Sequence, residues 1–442
     1  MSRRILLSFL GRSEYKPCFY TYQGKQSTYT RFVQTAIYEF MKNDGEMDVV
    51  IFVTKEAKEQ NWHDTVNRKG EKLEGLETAF HRIAPEANVK LVEIESSQDE
   101  AANWQLFDAI LQEIEEGDQI YFDITHSFRS IPFVALIVLN YARLVKKASI
   151  GKIMYGLFEQ LGNPWEVDNI PPEKRLAPIV DVTNMATLLD WTNGVDQFIR
   201  TGDASMIKQL TSTEVGKVFR DRSSKPEERR QMAELRGLAD QLDLVGKSLQ
   251  TSRSLQIAEE VKKLRRQLHK VRELETDAIK PLIPLLDEIE KKYEAFTDDE
   301  LDNYFVMAKW CEENRLIQPG LTLLQENCVT AICRVFHIDK TDKNKRSDIH
   351  SAIRILLERI PKEKWRVRDI NFVEEMIDKL QPYREWLKPF NVITEYRNDI
   401  NHAGTSANAR EAKVLYNQLS KSLKELKLLF EKMSEISKEK TV

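Results

Sequence analysis

The chain has 442 residues, of which 41% are hydrophobic and 31% charged, with a formal net charge of −4 and only 16 glycines and 14 prolines. That length predicts two or three domains, each able to bury a core, and the charged share, above the roughly 25% of an average globular chain, fits long solvated helices. The composition excludes collagen-like and Pro/Gly-rich disordered classes, and the acidic balance excludes a polycation that coats nucleic acid over its whole surface.

The N-terminal run MSRRILLSFLG is too short in its apolar part, and lacks a small-residue cleavage site, so no signal peptide is expected. Strand-like runs follow at 4–10, 48–53, 89–94, 119–124 and 152–155, with a further one over 177–182. Helical periods lie between them at 30–41, 72–83, 103–114 and 133–145. The longest apolar stretch, 131–139, ends at Asn140 and Arg143 and falls short of the ~20 residues that cross a bilayer. It reads as a helix buried against a sheet, and no membrane association is expected. Alternating strands and helices predict an α/β domain with a Rossmann-like parallel sheet, covered by helices on both faces. Ligands bind such sheets at the carboxyl ends of the strands.

From about residue 183 the strand signal stops. Helices are predicted at 185–200, 227–249, 255–275, 281–293, 299–314, 321–336, 347–359, 372–380, 384–402 and 409–434. Loop signals separate them at 223–227 (SSKPE), 317–320 (IQPG) and 339–345 (DKTDKNK). The expected order is therefore an α/β domain over 1–182, a helical connecting region over 183–318 and an all-α domain over 319–442. The basic run over 262–273 reads first as a solvated helix face and second as an RNA contact.

Cys18, Cys311, Cys328 and Cys333 form no CxxC pair. Cys328, Cys333 and His337 read as core thiols beside a surface histidine, so no metal site and a reduced, cytoplasmic protein are expected. The first strand carries Gly11 alone where a dinucleotide fingerprint needs three glycines. The segment LVGKS at 244–248 has Gln241 where a P-loop needs glycine, and no strand precedes it.

Two constellations remain. The fourth strand exits through DITHSFRSIPF at 123–133, which gathers Asp123, Thr125, His126, Ser127 and Arg129. Hydroxyls, helix-start N–H groups and an arginine suit an anion; the alternative is that Asp123 and Thr125 only cap the turn. The second strand exits into FVTKEAK, so Thr54 and Lys55 are expected on the same rim. The other constellation is YRNDINHAG at 396–404. Asn398 and His402 lie four apart on one helix face, whereas Arg397 and His402 lie about 140° apart around the axis. A helix stop at Gly404, or a second copy across a two-fold axis, would bring them together. Histidine moves protons near neutral pH and arginine neutralises a crowded phosphate. The alternative is a polar helix end with His402 on the last carbonyls.

Together the stretches ILLSFLG (5–11), TRFVQTAIYE (30–39), DITHSFRSIPF and YRNDINHAG resemble the cyclic-oligoadenylate-activated ribonucleases of type III CRISPR systems. These join a CRISPR-associated Rossmann fold (CARF) sensor to a HEPN ribonuclease domain with an R-x4-H motif. The resemblance implies a CARF domain over 1–182 and a HEPN domain over 319–442. It implies a homodimer, or a higher oligomer built from it, that binds one cyclic oligoadenylate across its axis, cyclic tetra-adenylate being the first ring to test. The activator contacts carried over are Ser8, Gly11, Arg12, Thr54, Lys55, Asp123, Thr125, His126, Ser127, Phe128 and Arg129. The implied reaction is metal-independent cleavage of single-stranded RNA at a composite site where two HEPN domains bring together both copies of Arg397, Asn398 and His402, with the 2′-hydroxyl attacking the adjacent phosphate. Two other readings stay open: a sensor that only binds, and a sensor that cleaves its own activator through Ser127 or a neighbour.

Overall fold

Every residue of the strand Arg4–Leu10 is buried. A strand with no exposed face needs cover on both sides, and the alternation of its side chains supplies two cores. Leu6 and Leu10 point to one side, with Val49, Ile51 and Val53 of the next strand and Ile37 and Phe80 of two helices. Ile5, Leu7 and Phe9 point to the other, with Val50, Phe52, Ile120 and Phe122 and residues of the helices Glu100–Glu113 and Ile131–Val145.

The structure is a computed structural model that describes residues 2–42, 45–67, 70–97, 99–126, 131–274, 282–405 and 409–439. It divides into two units, Met1–Thr187 and Leu188–Val442. The first holds strands β1 (Arg4–Leu10), β2 (Phe19–Tyr22), β3 (Lys25–Gln26), β4 (Asp48–Val53), β5 (Thr65–Val66), β6 (Lys72–Leu73), β7 (Val89–Glu93), β8 (Gln119–Asp123), β9 (Ser149–Gly156) and β10 (Leu176–Asp181). Eight of them form one sheet in the order β3-β2-β10-β9-β8-β1-β4-β7, and β5 and β6 form a small separate ribbon. The run β9-β8-β1-β4-β7 is parallel throughout, while β10 pairs antiparallel to β9 and parallel to β2. Strand order reverses at β1, between β8 and β4, which is where an open α/β sheet opens a crevice at its carboxyl edge.

Sequence and structure part at several elements. The β2–β3 hairpin, turned through Gln23 and Gly24 at positive φ, lies where no strand is predicted. Lys72–Leu73, read as the start of a helix, is strand β6, and the helix begins at Leu76 after Gly75. Gly75 sits so close to His63 and Trp62 that a Cβ would overlap their backbone, so the chain turns there before the helix starts.

The second unit is helical around one core. The helix Ile317–Val335 packs against Glu300–Glu313, Pro389–Asn401 and Ala412–Glu439. The segment 317–320, read as a loop, is the first turn of that helix. Proline is tolerated there because first-turn N–H groups have no helical partner. The single helix expected over 384–402 is two, Arg384–Leu387 and Pro389–Asn401, parted at Lys388 before the proline. Helix Ser205–Arg220, mostly polar, had no counterpart in the sequence reading. LVGKS lies inside the helix Pro226–Gln250, and the basic run over 262–273 buries Leu264, Leu268 and Val271. Among the described residues no helix is long and apolar enough to cross a membrane.

Candidate functional site

The parallel register pairs Leu7 of β1 with Phe122 of β8, which sets Ser8 beside Asp123. Both are fully buried. Ser8 Oγ donates to Asp123 Oδ2 at 2.6 Å, and Thr125 donates its N–H and its hydroxyl to Oδ1 at 2.9 and 2.5 Å. Thr125 Oγ1 in turn accepts from the Gly156 N–H at 2.8 Å, tying the turn after β8 to the end of β9. Desolvation raises the Asp123 pKa, opposed by these three donors. A buried acceptor that loses its donor costs about 1–3 kcal/mol. Ser8 and Asp123 therefore brace the sheet's carboxyl edge from within.

Above them is a cavity of about 440 Å³. Gly11, Arg12, Thr54, Thr125 and His126 line it, with Tyr15 and Glu56 among its further walls. Thr54 caps the short helix Lys55–Ala57 by accepting from the Ala57 N–H at 3.3 Å. Lys55 is exposed and is not part of the lining. Ser127, Phe128 and Arg129 lie outside the described residues.

The Gly11 N–H donates to the Tyr15 hydroxyl at 2.9 Å, and a Cβ on Gly11 would stand 2.7 Å from that oxygen. Glycine at 11 therefore lets Tyr15 fold back under the loop. The Tyr15 ring packs against His126, tilted by 37°, at 4.2 Å between centroids. Asn61 Nδ2 donates to the carbonyls of Gly11 and Ser13 at 2.8 and 2.9 Å, and Gln34 Nε2 donates to that of Phe9 at 2.8 Å. Tyr15, Asn61 and Gln34 shape the loop that follows β1, and the sequence reading passed over all three. Gln34 carried a signal: it sits three and four residues before Ile37 and Tyr38, on the buried face of its helix. Burial without a charge partner lowers the His126 pKa to about 4, and its Nε2 has no hydrogen-bond partner among the described residues.

The second constellation lies at the end of the helix Pro389–Asn401. His402 caps that helix with φ −92° and ψ 14°, and is exposed together with Asn398. Beyond it Ala403 and Gly404 both take positive φ, 53° and 64°. The Gly404 N–H bonds the Asp399 carbonyl at 3.1 Å and the Ala403 N–H that of Ile400 at 2.9 Å, a Schellman ending. Arg410 closes the loop: its N–H donates to Asp399 Oδ2 at 2.9 Å, and its guanidinium stands 4.2 Å from the Tyr396 ring centroid. Arg397 Nη1 donates to Asn398 Oδ1 at 3.2 Å and Nη2 to Glu326 Oε1 at 3.4 Å. An arginine, an amide and an exposed imidazole thus share one helix end, where they can hold a phosphate and move a proton.

All four cysteines are buried thiols, and burial raises the pKa of each.

Residues 5–158 match the family described as "CRISPR system endoribonuclease Csx1, CARF domain". The N-terminal domain is CARF-like. The pocket at the carboxyl edge of β1, β4 and β8 thus lies within the CARF match. Residues 187–299, which fall in the helical connecting region expected over 183–318, match "CRISPR-associated protein MJ1674, second domain". CRISPR-associated protein MJ1674 of Methanocaldococcus jannaschii is 25% identical over 246 residues, which are 55% of this chain and 33% of that relative. The matched length is thus one third of the archaeal protein. These likenesses fit a role in CRISPR defence.

Proposed function

We propose that this chain is an antiviral ribonuclease of CRISPR defence, switched on by a cyclic oligoadenylate held in the CARF-like domain. Two observations in one chain carry the reading: a polar cavity at the sheet's carboxyl edge within a CARF match, and the Arg397, Asn398 and His402 cluster at a helix end. The cavity lining offers Arg12 for phosphates, Thr54 and Thr125 for hydroxyl contacts, and Phe9, Phe52 and Tyr15 as faces near adenine rings. The all-α segment around 319–442 acts as a HEPN domain. There the RNA 2′-hydroxyl loses its proton and attacks the adjacent phosphorus. The bond to the 5′-oxygen breaks, and that oxygen takes a proton. The products are a 2′,3′-cyclic phosphate and a 5′-hydroxyl. His402 moves a proton, Arg397 neutralises the charge that builds on the phosphate, and Asn398 steadies Arg397.

A homodimer is the working form, and an apolar face supports it. Phe133, Ile137, Tyr141 and Leu144 of the helix Ile131–Val145 are exposed at three- and four-residue spacing, so they form one stripe. Phe107 links Tyr141 to Trp104 of the neighbouring helix through ring contacts of 5.3 and 5.7 Å, which widens the patch. Such a contiguous apolar surface marks an interaction site.

The test is cleavage of end-labelled single-stranded RNA by the full chain with cyclic tri-, tetra- or hexa-adenylate, in EDTA. Cleavage with one ring, its absence without it, and its loss in His402→Ala are expected, with a loss of about 10²–10⁴ in rate. Near-normal cleavage by His402→Ala, or a strict need for Mg²⁺ or Mn²⁺, would remove the assignment.

A further inference from the structure

Glu326 belongs to none of the motifs described so far, yet it touches Arg397. It lies in the run LLQENCV of the helix Ile317–Val335, a polar triplet between apolar neighbours. That helix meets Pro389–Asn401 along a polar seam. Gln318 Nε2 donates to Asn401 Oδ1 at 3.1 Å, Gln325 Nε2 to Thr394 Oγ1 at 2.9 Å, and Arg397 Nη2 to Glu326 Oε1 at 3.4 Å. Residues 318 and 325, like 394 and 401, are seven apart, two helical turns on one face. The seam therefore fixes the rotation of the second helix about its own axis.

Glu326 is itself anchored. Arg346 Nη2 donates to Glu326 Oε2 at 2.6 Å and to its carbonyl at 3.1 Å. Arg346 Nη1 holds the Thr330 hydroxyl at 2.9 Å and the Lys340 carbonyl at 3.2 Å. Arg397 Nε is buried with no partner among the described residues. Its terminal nitrogens alone are held, Nη2 by Glu326 and Nη1 by Asn398. Each terminal nitrogen carries a second N–H with no partner among the described residues, so two donors of the planar fork remain for a phosphate.

We infer that Glu326 is a positioning residue of the RNA-cleaving site, aiming the Arg397 fork and anchored in turn by Arg346. The inference rests on the ribonuclease reading above. A fork misplaced by an ångström stabilises the transition state poorly, and such errors cost up to about a hundredfold in rate.

The experiment compares the full chain with Arg397→Ala, Glu326→Ala and Glu326→Gln, using labelled single-stranded RNA and the ring that activates best. We expect kcat to fall about ten- to a hundredfold in Glu326→Ala, with KM for RNA and affinity for the ring within twofold. Glu326→Gln, whose amide oxygen still accepts from Nη2, should recover part of kcat. The conservative variant carries the test if the alanine variant does not fold. An inactive wild-type chain, or an Arg397→Ala variant as active as wild type, would defeat the ribonuclease reading and this inference with it. An active wild type and a dead Arg397→Ala beside Glu326 variants of unchanged kcat would defeat the inference alone. Loss confined to melting temperature, or a rise in KM at constant kcat, would do the same.

Discussion

Burial sets the chemistry of His126 before any ligand arrives. Its ring packs tilted against Tyr15, and desolvation lowers its pKa to about 4, against 6.5 for a free imidazole. In the unfolded chain the imidazole takes a proton as the pH falls through 6.5; in the folded chain it resists until about 4. Between those values the unfolded state binds more protons. The stability His126 contributes is therefore complete above about 6.5 and is lost as the pH falls toward 4. Asp123 acts with the opposite sign, because desolvation raises its pKa and the folded state takes up its proton before the unfolded one as the pH falls. We predict that the urea midpoint of the full chain falls between pH 6.5 and pH 4, and that His126→Gln flattens this slope. Equal slopes in the two proteins would show that the imidazole is not held neutral.

At the scale of elements, the end of the helix Pro389–Asn401 decides where His402 stands. The left-handed step is taken twice, at Ala403 and at Gly404. Gly404→Ala meets no steric block among the described residues, where Ala409 Cβ lies 3.6 Å from the new methyl. Its cost lies in the backbone, where a residue with a Cβ loses about 1–2 kcal/mol in that conformation. We predict a drop of about 2–4 °C in the helical unit's melting temperature, faster hydrogen exchange at 402–404, and a lower kcat with unchanged ring affinity. An unchanged kcat despite the lower melting point would show that His402 needs no such placement. The glycine was legible in the sequence as a helix stop, but not the Schellman pattern, because alanine occupies the position where glycine usually sits. Elements with a strong period were read to within a few residues: β1 and β4 are apolar runs that no helix could hide. The β2–β3 hairpin escaped because its strands are two to four residues long and polar at the turn. At the candidate sites the spacing of Arg397, Asn398 and His402 is local and could be read directly. The Ser8–Asp123 bond spans 115 residues and the Arg397–Glu326 bond 71, and only the folded register brings such pairs together.

On the scale of the whole molecule, the proposed activation by a ring-shaped ligand would ask for two copies, and the apolar stripe is the face proposed for their contact. Phe133 is 70% exposed and Leu144 83%, values at which a large apolar side chain contributes little to its own fold. Eleven residues separate them, close to three helical turns, so they mark the two ends of one stripe. The helix that carries the stripe begins at Ile131, five positions after His126 of the cavity lining. A charge placed on this stripe would be desolvated in the dimer and free in the monomer, so it should split the dimer and leave the fold intact. We predict that Leu144→Glu, alone or with Phe133→Glu, turns a dimeric chain into a monomer by light scattering, with the far-UV circular dichroism and melting temperature nearly unchanged. In the same samples cyclic tetra-adenylate should bind at least tenfold more weakly, and RNA cleavage should fall with the dimer fraction. Raising the protein concentration should restore part of both, as mass action requires. A variant that stays dimeric would move the interface elsewhere. A monomer that still binds the ring and cleaves RNA at the wild-type rate would refute the composite site.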